Sequence, residues 1–307
     1  MKDRPKPLAI AILGPTACGK SAVAEELARR LRARIINADA SQMYRGLDVG
    51  TGKPADHSRY ELLDILDLTE SFSAGRFVRL ARPFCVSEAE AGRHCIVCGG
   101  TGLYVRALFE EYSDMRPPAV PDERRRLIQD LKTLGPEALA QREGVNLTGL
   151  PAQTIANPVR FIRFIERARA GPPAKHTPQP WPARKLKIGL RLPADDLRKR
   201  IRQRVEWMMQ NGWTEEVRQL LKEGATPGLP GMRAIGYRQM IDCIEGSATE
   251  KETREGILSQ TWKYARRQMT WLRKEPGMIW VDADVTSKRV ADRIHALFEE
   301  GGIRCNG

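Results

Sequence analysis

An α/β fold, with a parallel sheet core flanked by helices, an inserted all-helical unit and a helical C-terminal region, is what three features of this 307-residue chain predict. The first is an apolar run, Leu8-Ala9-Ile10-Ala11-Ile12-Leu13, followed by Gly14-Pro15-Thr16-Ala17-Cys18-Gly19-Lys20-Ser21 and by an amphipathic stretch with Val23, Leu27 and Leu31 four residues apart. That order reads as strand, loop, helix. The second is a similar junction downstream, Ile96-Val97-Cys98 leading into Gly99-Gly100-Thr101-Gly102-Leu103-Tyr104. The third is a change after Tyr112 to charged helical patterns, ended by the strand-like run Lys187-Ile188-Gly189-Leu190-Arg191-Leu192. The first loop fits the pattern G-x-x-x-x-G-K-[ST] in its required context, so the expected core is of the P-loop NTPase type.

The chemistry of that loop follows from its residue types. Glycines let the backbone turn tightly and bring its N–H groups close to phosphate oxygens, the helix N-terminus adds partial positive charge, and Lys20 supplies a full one. The residues expected to bind a diphosphate or triphosphate are Gly14, Thr16, Ala17, Cys18, Gly19, Lys20 and Ser21, with the Ser21 hydroxyl as a ligand to Mg²⁺. The loop reads phosphates and not the group they carry.

In chain order, Arg34-Ile35-Ile36-Asn37-Ala38-Asp39 reads as a second buried strand with its acid at the C-terminal edge, where open α/β sheets hold their ligands. Residues 40–54 are glycine-rich, polar and without period, which reads as a functional loop. Leu62-Leu63-Asp64-Ile65 is expected to be a third strand, and a helix is expected from Ser73, turning Val78, Ala81 and Val86 inward. Thr101 would expose its hydroxyl at the second glycine junction, where a threonine can also serve as an N-cap. Met115 to Pro121 reads as a linker and the prolines between Pro172 and Pro182 as an exit, so an inserted helical unit is expected over 116–185, within a core of 1–115 and 186–307. Beyond Pro193 the chain reads as mostly helical. Leu197, Ile201, Val205 and Met208 form one apolar stripe beside Arg200, Arg204 and Trp207. Trp262, Ala265, Met269 and Leu272 form another, opposite Lys263, Arg267, Thr270 and Lys274.

With 41% hydrophobic residues the chain should build a proper core, and 51 Lys and Arg against 38 Asp and Glu leave a net charge of +13. Such an excess points to a polyanionic partner, although a generally basic surface would also produce it. Basic helix faces interleaved with aromatics suit a nucleic-acid backbone and unpaired bases. The six cysteines lack the spacing of a disulfide framework, and Cys95 and Cys98 fall on opposite faces of one strand with no second Cys/His pair to complete a zinc site. No signal peptide is read ahead of Leu8 and no apolar run approaches the ~20 residues that span a bilayer, so a cytoplasmic protein without membrane contact is expected. No long apolar stripe is left over, which suggests a monomer.

Taken together, these stretches resemble the tRNA dimethylallyltransferases, also called tRNA isopentenyltransferases. The matching motifs are residues 14–21, Asp39 through Pro54, Ser73-Ala74-Gly75-Arg76-Phe77, residues 99–104, Arg160 with Arg163, Gly236-Tyr237-Arg238-Gln239-Met240, and residues 264–273, all in family order. The resemblance implies transfer of a dimethylallyl group from dimethylallyl diphosphate to N6 of the adenosine 3′-adjacent to the anticodon, with Mg²⁺. Carried over by motif, Lys20, Ser21 and Arg204 would hold the diphosphate, Asp39 would be the base on the amine, and Thr101 would help position it. It likewise implies tRNA contacts at Ser41, Gln42, Arg160, Arg163, Arg233, Gly236, Tyr237, Arg238, Lys263, Arg266 and Arg267, and a mobile helical unit that closes on the anticodon stem-loop.

Two positions depart from the family pattern. Ala40 stands where serine usually follows the acid, and Asn157-Pro158 replaces the usual acidic residue before the arginine pair. Three other readings stay open on sequence alone: an isopentenyltransferase for free adenine nucleotide, a P-loop nucleotide kinase or nucleic-acid-dependent ATPase, and a non-catalytic RNA-binding module.

Overall fold

The computed structural model describes residues 6–110, 120–171 and 181–299. Residues 115–119 of the expected linker, most of the proline-rich exit, and Cys305 lie outside the described residues, while Pro121 opens a helix. The chain divides into two compact units, residues 1–110 with 181–307, and residues 111–180.

The larger unit is organised by one six-stranded parallel sheet, β1 (Leu8–Leu13), β2 (Arg34–Asn37), β3 (Tyr60–Glu61), β4 (Cys95–Gly99), β5 (Arg184–Arg191) and β6 (Met278–Asp282), in the spatial order β3-β2-β4-β1-β5-β6. Its helices are α1 (Lys20–Leu31), α2 (Ala74–Glu90) and α3 (Gly102–Phe109). In the second unit follow α4 (Pro121–Arg142), α5 (Ala152–Ile155) and α6 (Pro158–Arg169). The larger unit then resumes with α7 (Ala194–Gln210), α8 (Trp213–Lys222), α9 (Tyr237–Ile244), α10 (Glu250–Leu272) and α11 (Ser287–Glu299).

β1 lies between β4 and β5, with Ala11 opposite both Val97 and Lys187, and every residue of it after Leu8 is buried. Helices cover both faces of a parallel sheet, which is why its central strand reads as a continuous apolar run. Alternation divides the core. Ala9, Ala11, Leu13 and Val97 face a cluster with Phe77, Trp213 and Tyr237, while Ile10, Ile12 and Ile96 face one with Leu27, Ile201 and Ile294. Cys95 and Cys98 go to opposite clusters as expected, and burial pushes the Cys98 thiol up to about 12.

Several elements differ from the sequence reading. The third strand is Tyr60–Glu61 rather than residues 62–65, because Leu62 and Asp64 take left-handed backbone angles, φ +65° and +52°, that end it. β5 begins at Arg184, so residues 184 and 185 belong to the sheet and not to the inserted helical unit. β6 interrupts the expected run of helices near the C-terminus. In α2 the inward position falls to Cys85 rather than Val86, and in α10 the buried line is Ile257, Thr261, Ala265, Gln268 and Leu272, with Trp262 and Met269 at its margins. The α7 stripe Leu197, Ile201, Val205 and Met208 is buried as expected.

The second unit has its own core of Leu127, Leu139, Phe161, Ile162 and Ile165. Arg124 clamps Glu166 with two bonds of 2.6 Å, joining α4 to α6. The Asn157-Pro158 pair starts α6: the Asn157 side chain accepts from the Arg160 N–H at 3.1 Å, and Pro158 occupies the first turn, where it lacks nothing the helix needs.

Candidate active site

The phosphate loop leaves β1 and enters α1 through Gly19, whose φ of +95° is the left-handed conformation glycine adopts without strain. Cys18 is buried beneath the loop, and its thiol is raised by that burial against the opposing charges of Lys20 and Arg200. The Lys20 Nζ donates to the Pro15 carbonyl at 2.9 Å, which holds the ammonium across the loop it belongs to. Two side chains from distant elements brace the loop. Arg200 of α7 donates to the carbonyls of Cys18 (3.2 Å) and Ala283 (2.9 Å). Gln268 of α10 accepts from the Thr16 N–H at 2.8 Å and donates to the Gly100 carbonyl at 3.0 Å, linking the two glycine junctions through one carboxamide.

Asp39 follows β2 at the C-terminal edge of the sheet. Its N–H donates to Asn37 Oδ1 at 3.0 Å and its Oδ1 accepts from the Ser41 N–H at 3.1 Å, so the carboxylate is fixed while Oδ2 is left for other work. Thr101 is the N-cap residue of α3, but its side chain caps no N–H of that helix. Its Oγ1 instead accepts from the Ala40 N–H at 3.3 Å, and its own N–H donates to the Ala38 carbonyl at 3.2 Å, which ties the second junction to the segment bearing Asp39. Position 40 therefore contributes through its backbone here, with no side-chain hydroxyl.

Arg204 lies one turn beyond Arg200 on α7 and donates to the Thr51 carbonyl at 2.6 Å. Burial pulls its guanidinium below the ordinary value, and the negative charge of Asp39 opposes that pull. A cavity of about 310 Å³ opens here, lined among others by Thr16, Asp39, Ser41, Thr51, Arg204, Arg233, Tyr264 and Arg267. It brings phosphate loop, acid, arginine and the α10 face to one volume. Tyr264 has its phenol raised by burial first and by Asp39 second, so it presents a neutral hydroxyl to the cavity.

Beside the cavity, Lys263, Arg266, Thr270, Trp271 and Lys274 line an open groove of about 520 Å³ along α10, with Arg267 lining both. Arg238 is exposed and paired with Asp242 at 2.9 Å. In the second unit, Arg160, Arg163, Phe164 and Arg167 line another open groove of about 670 Å³, and Arg163 also reaches Glu166 at 3.1 Å.

Three residues expected to touch tRNA lie inward. Tyr237 is fully buried with its hydroxyl donating to Glu216 at 2.7 Å. Gly236 is buried where a Cβ would stand 2.2 Å from the Trp213 ring, so it serves a close approach. Gln42 is 7% exposed and donates to the carbonyls of Thr51 (3.2 Å) and Gly52 (3.1 Å). Their contacts are structural: Gln42 bonds to the loop over residues 47–53 directly, Tyr237 bonds to the Glu216 carboxylate that holds it, and Gly236 leaves room for the Trp213 ring. The bracing roles of Gln268 and Arg200 were missed; the only trace of the latter is its spacing of four from Arg204. Among the described residues no group of three or more His, Cys, Asp or Glu could hold a metal ion, and no helix is long and apolar enough to cross a membrane.

Comparison with known proteins adds relatives over nearly the full length. The family model described as IPP transferase matches residues 42–275, and that described as isopentenyl transferase matches residues 8–65. The tRNA dimethylallyltransferase of Syntrophobacter fumaroxidans is 40% identical over 92% of this chain and 85% of its own. That of Thermomicrobium roseum is 35% identical over 91% and 87%. Among solved structures, the tRNA isopentenylpyrophosphate transferase of Bacillus halodurans aligns with a TM-score of 0.70 at 31% identity, covering 96% of each chain. A eukaryotic dimethylallyltransferase acting on tRNA shares the fold, with a TM-score of 0.76 at 19% identity over 98% of this chain and 81% of its own.

Proposed function

The chain belongs to the IPP transferase family, and from that footing we propose that it transfers a dimethylallyl group from dimethylallyl diphosphate to N6 of the adenosine 3′-adjacent to the anticodon in tRNA. One observation supports the reading: Thr16 of the phosphate loop, Asp39 and Arg204 line a single cavity together with Tyr264 and Arg267 of α10. In the reaction the C1–O bond of the prenyl diphosphate breaks as N6 bonds to C1, diphosphate leaves, and the surplus N6 proton passes to the Asp39 carboxylate. Lys20, the loop N–H groups and Arg204 stabilise the charge that builds on the leaving diphosphate, more in the transition state than before it. Thr101 would help to orient the acceptor amine. The adenine must leave its stack to enter the cavity.

The Ser21 hydroxyl, in the first turn of α1, would be the protein's ligand to a Mg²⁺ ion, which would help neutralise the charge of the leaving diphosphate. We assign tRNA binding to the α10 groove with Lys263, Arg266 and Arg267, to Arg233, Arg238 and Ser41, and to the helical unit through Arg160 and Arg163. That the relatives are tRNA dimethylallyltransferases favours this reading over a kinase or ATPase.

The test is mass analysis of nucleosides from unmodified tRNA incubated with the protein, Mg²⁺ and dimethylallyl diphosphate, beside a parallel reaction with ATP. A dimethylallyl gain on adenosine that Lys20→Ala abolishes is the expected result. No gain, with ATP consumed, would sink the proposal.

A further inference from the structure

Residues 48–50 turn three successive backbone N–H groups toward one point, a concavity of the kind that binds anions. The Glu216 carboxylate of α8 fills it. Its Oε2 accepts from Asp48 N (2.9 Å) and Val49 N (2.6 Å), and its Oε1 from Gly50 N (3.2 Å) and the Tyr237 hydroxyl (2.7 Å). The Trp213 ring sits against Gly50 and Gly236, at each of which a Cβ would come within 2.2 Å of the indole, so the loop backbone packs closely on the ring. The next carbonyl along, that of Thr51, accepts from Arg204 at 2.6 Å and from Gln42 at 3.2 Å. A Cβ on Gly52 would meet the guanidinium at 2.5 Å, so the loop closes on Arg204 from this side as well.

From this series of bonds we infer that Glu216 is a positioning residue: it sets the Arg204 guanidinium for the diphosphate by fixing the loop whose Thr51 carbonyl receives it. Arginine is long and flexible, and one short bond to a carbonyl orients it only if that carbonyl is itself held still. The carboxylate type matters because all four of its partners are donors. A glutamine would turn an NH₂ toward N–H groups that need an acceptor.

The inference rests on the diphosphate reading of the phosphate loop, and it is tested without the transfer reaction. Inorganic diphosphate affinity is measured by calorimetry, with Mg²⁺ present, for the wild type, Glu216→Gln, Arg204→Ala and the double variant. Glu216→Gln is expected to weaken binding about tenfold in the wild-type background and to have no further effect once Arg204 is absent, whereas with Lys20→Ala its effect should multiply. An unchanged affinity, or the same loss with and without Arg204, overturns it. Should Glu216→Gln fail to fold, Tyr237→Phe removes one donor only and is expected to give a smaller loss with the same dependence on Arg204; independence from Arg204 there overturns the inference equally. A protein that binds diphosphate with this coupling yet transfers no prenyl group would refute the proposed function and leave the role of Glu216 standing.

Discussion

The Asp39 carboxylate accepts from a backbone group, the Ser41 N–H, so its charge can be removed while that bond is kept. Asp39→Asn retains an oxygen for the Ser41 N–H and loses the base; single-turnover transfer should fall by about 10²–10⁴-fold while tRNA affinity stays within about twofold. Near-normal turnover would remove Asp39 from that role. Gly236 is the converse case. With φ at +95° and the Trp213 ring 2.2 Å from a Cβ, Gly236→Ala should cost about 2 kcal/mol or more in a denaturant titration. The sequence makes Lys20, Ser21 and Asp39 legible because each stands at a fixed place in a motif or at a strand end, whereas Arg204 is marked only by its place beside the apolar stripe of α7. It does not distinguish Tyr237 from an exposed aromatic, since a tyrosine between glycine and arginine looks the same whether its ring meets Trp213 or a base. Glu216 gives no signal at all: an acid in the first turn of a helix is ordinary, and only the fold brings residues 48–50 to it.

Among the helices, α10 divides its labour by face. One side carries Gln268 into the bracing of the phosphate loop, and the other carries the cationic groove. Arg267→Ala should therefore reduce the salt dependence of tRNA binding by about 0.7–0.9 for each phosphate that is no longer neutralised, and an unchanged slope would show that this face does not meet the backbone. The strands yield a pH effect. His94, just before β4, accepts the Leu8 N–H on Nδ1 at 2.9 Å, and burial lowers its affinity for a proton. The folded chain thus keeps this imidazole neutral where the unfolded chain protonates it. Its contribution is complete above the unfolded value of about 6.5 and declines as pH falls toward the lower folded value. Urea titrations at pH 7.5 and 5.5 should show a smaller drop in His94→Gln than in the wild type. β1, β4, α1 and α7 were readable because their apolar periods are long and bounded by glycine or acid. β3 is two residues long and offers no period, and β6 follows a helix of 23 residues, whose pattern overshadowed five apolar-rich positions.

The larger unit is closed where the helical unit interrupts it. The Phe109 and Trp181 rings meet edge to face at 5.7 Å, and Lys185 Nζ donates to the Phe109 carbonyl at 2.5 Å, so the two ends of the interruption are already fastened together. Replacing residues 111–180 by a short glycine-rich linker should leave one cooperative melting transition and unchanged diphosphate affinity, with tRNA affinity weakened; disappearance of the transition would show the sheet to depend on the excised part. The position of β1 has a further effect, on biosynthesis. Its two neighbours in the sheet are β4 and β5, and the second of these begins only at Arg184. At a synthesis rate of roughly 5–20 residues per second, on the order of 10–40 s separate the emergence of β1 from that of β5. Through that interval a bare apolar strand edge is open to the wrong partner. The first strand translated is among the last to be enclosed, and a pause in translation before residue 184 should raise aggregation of this chain more than a pause after 191.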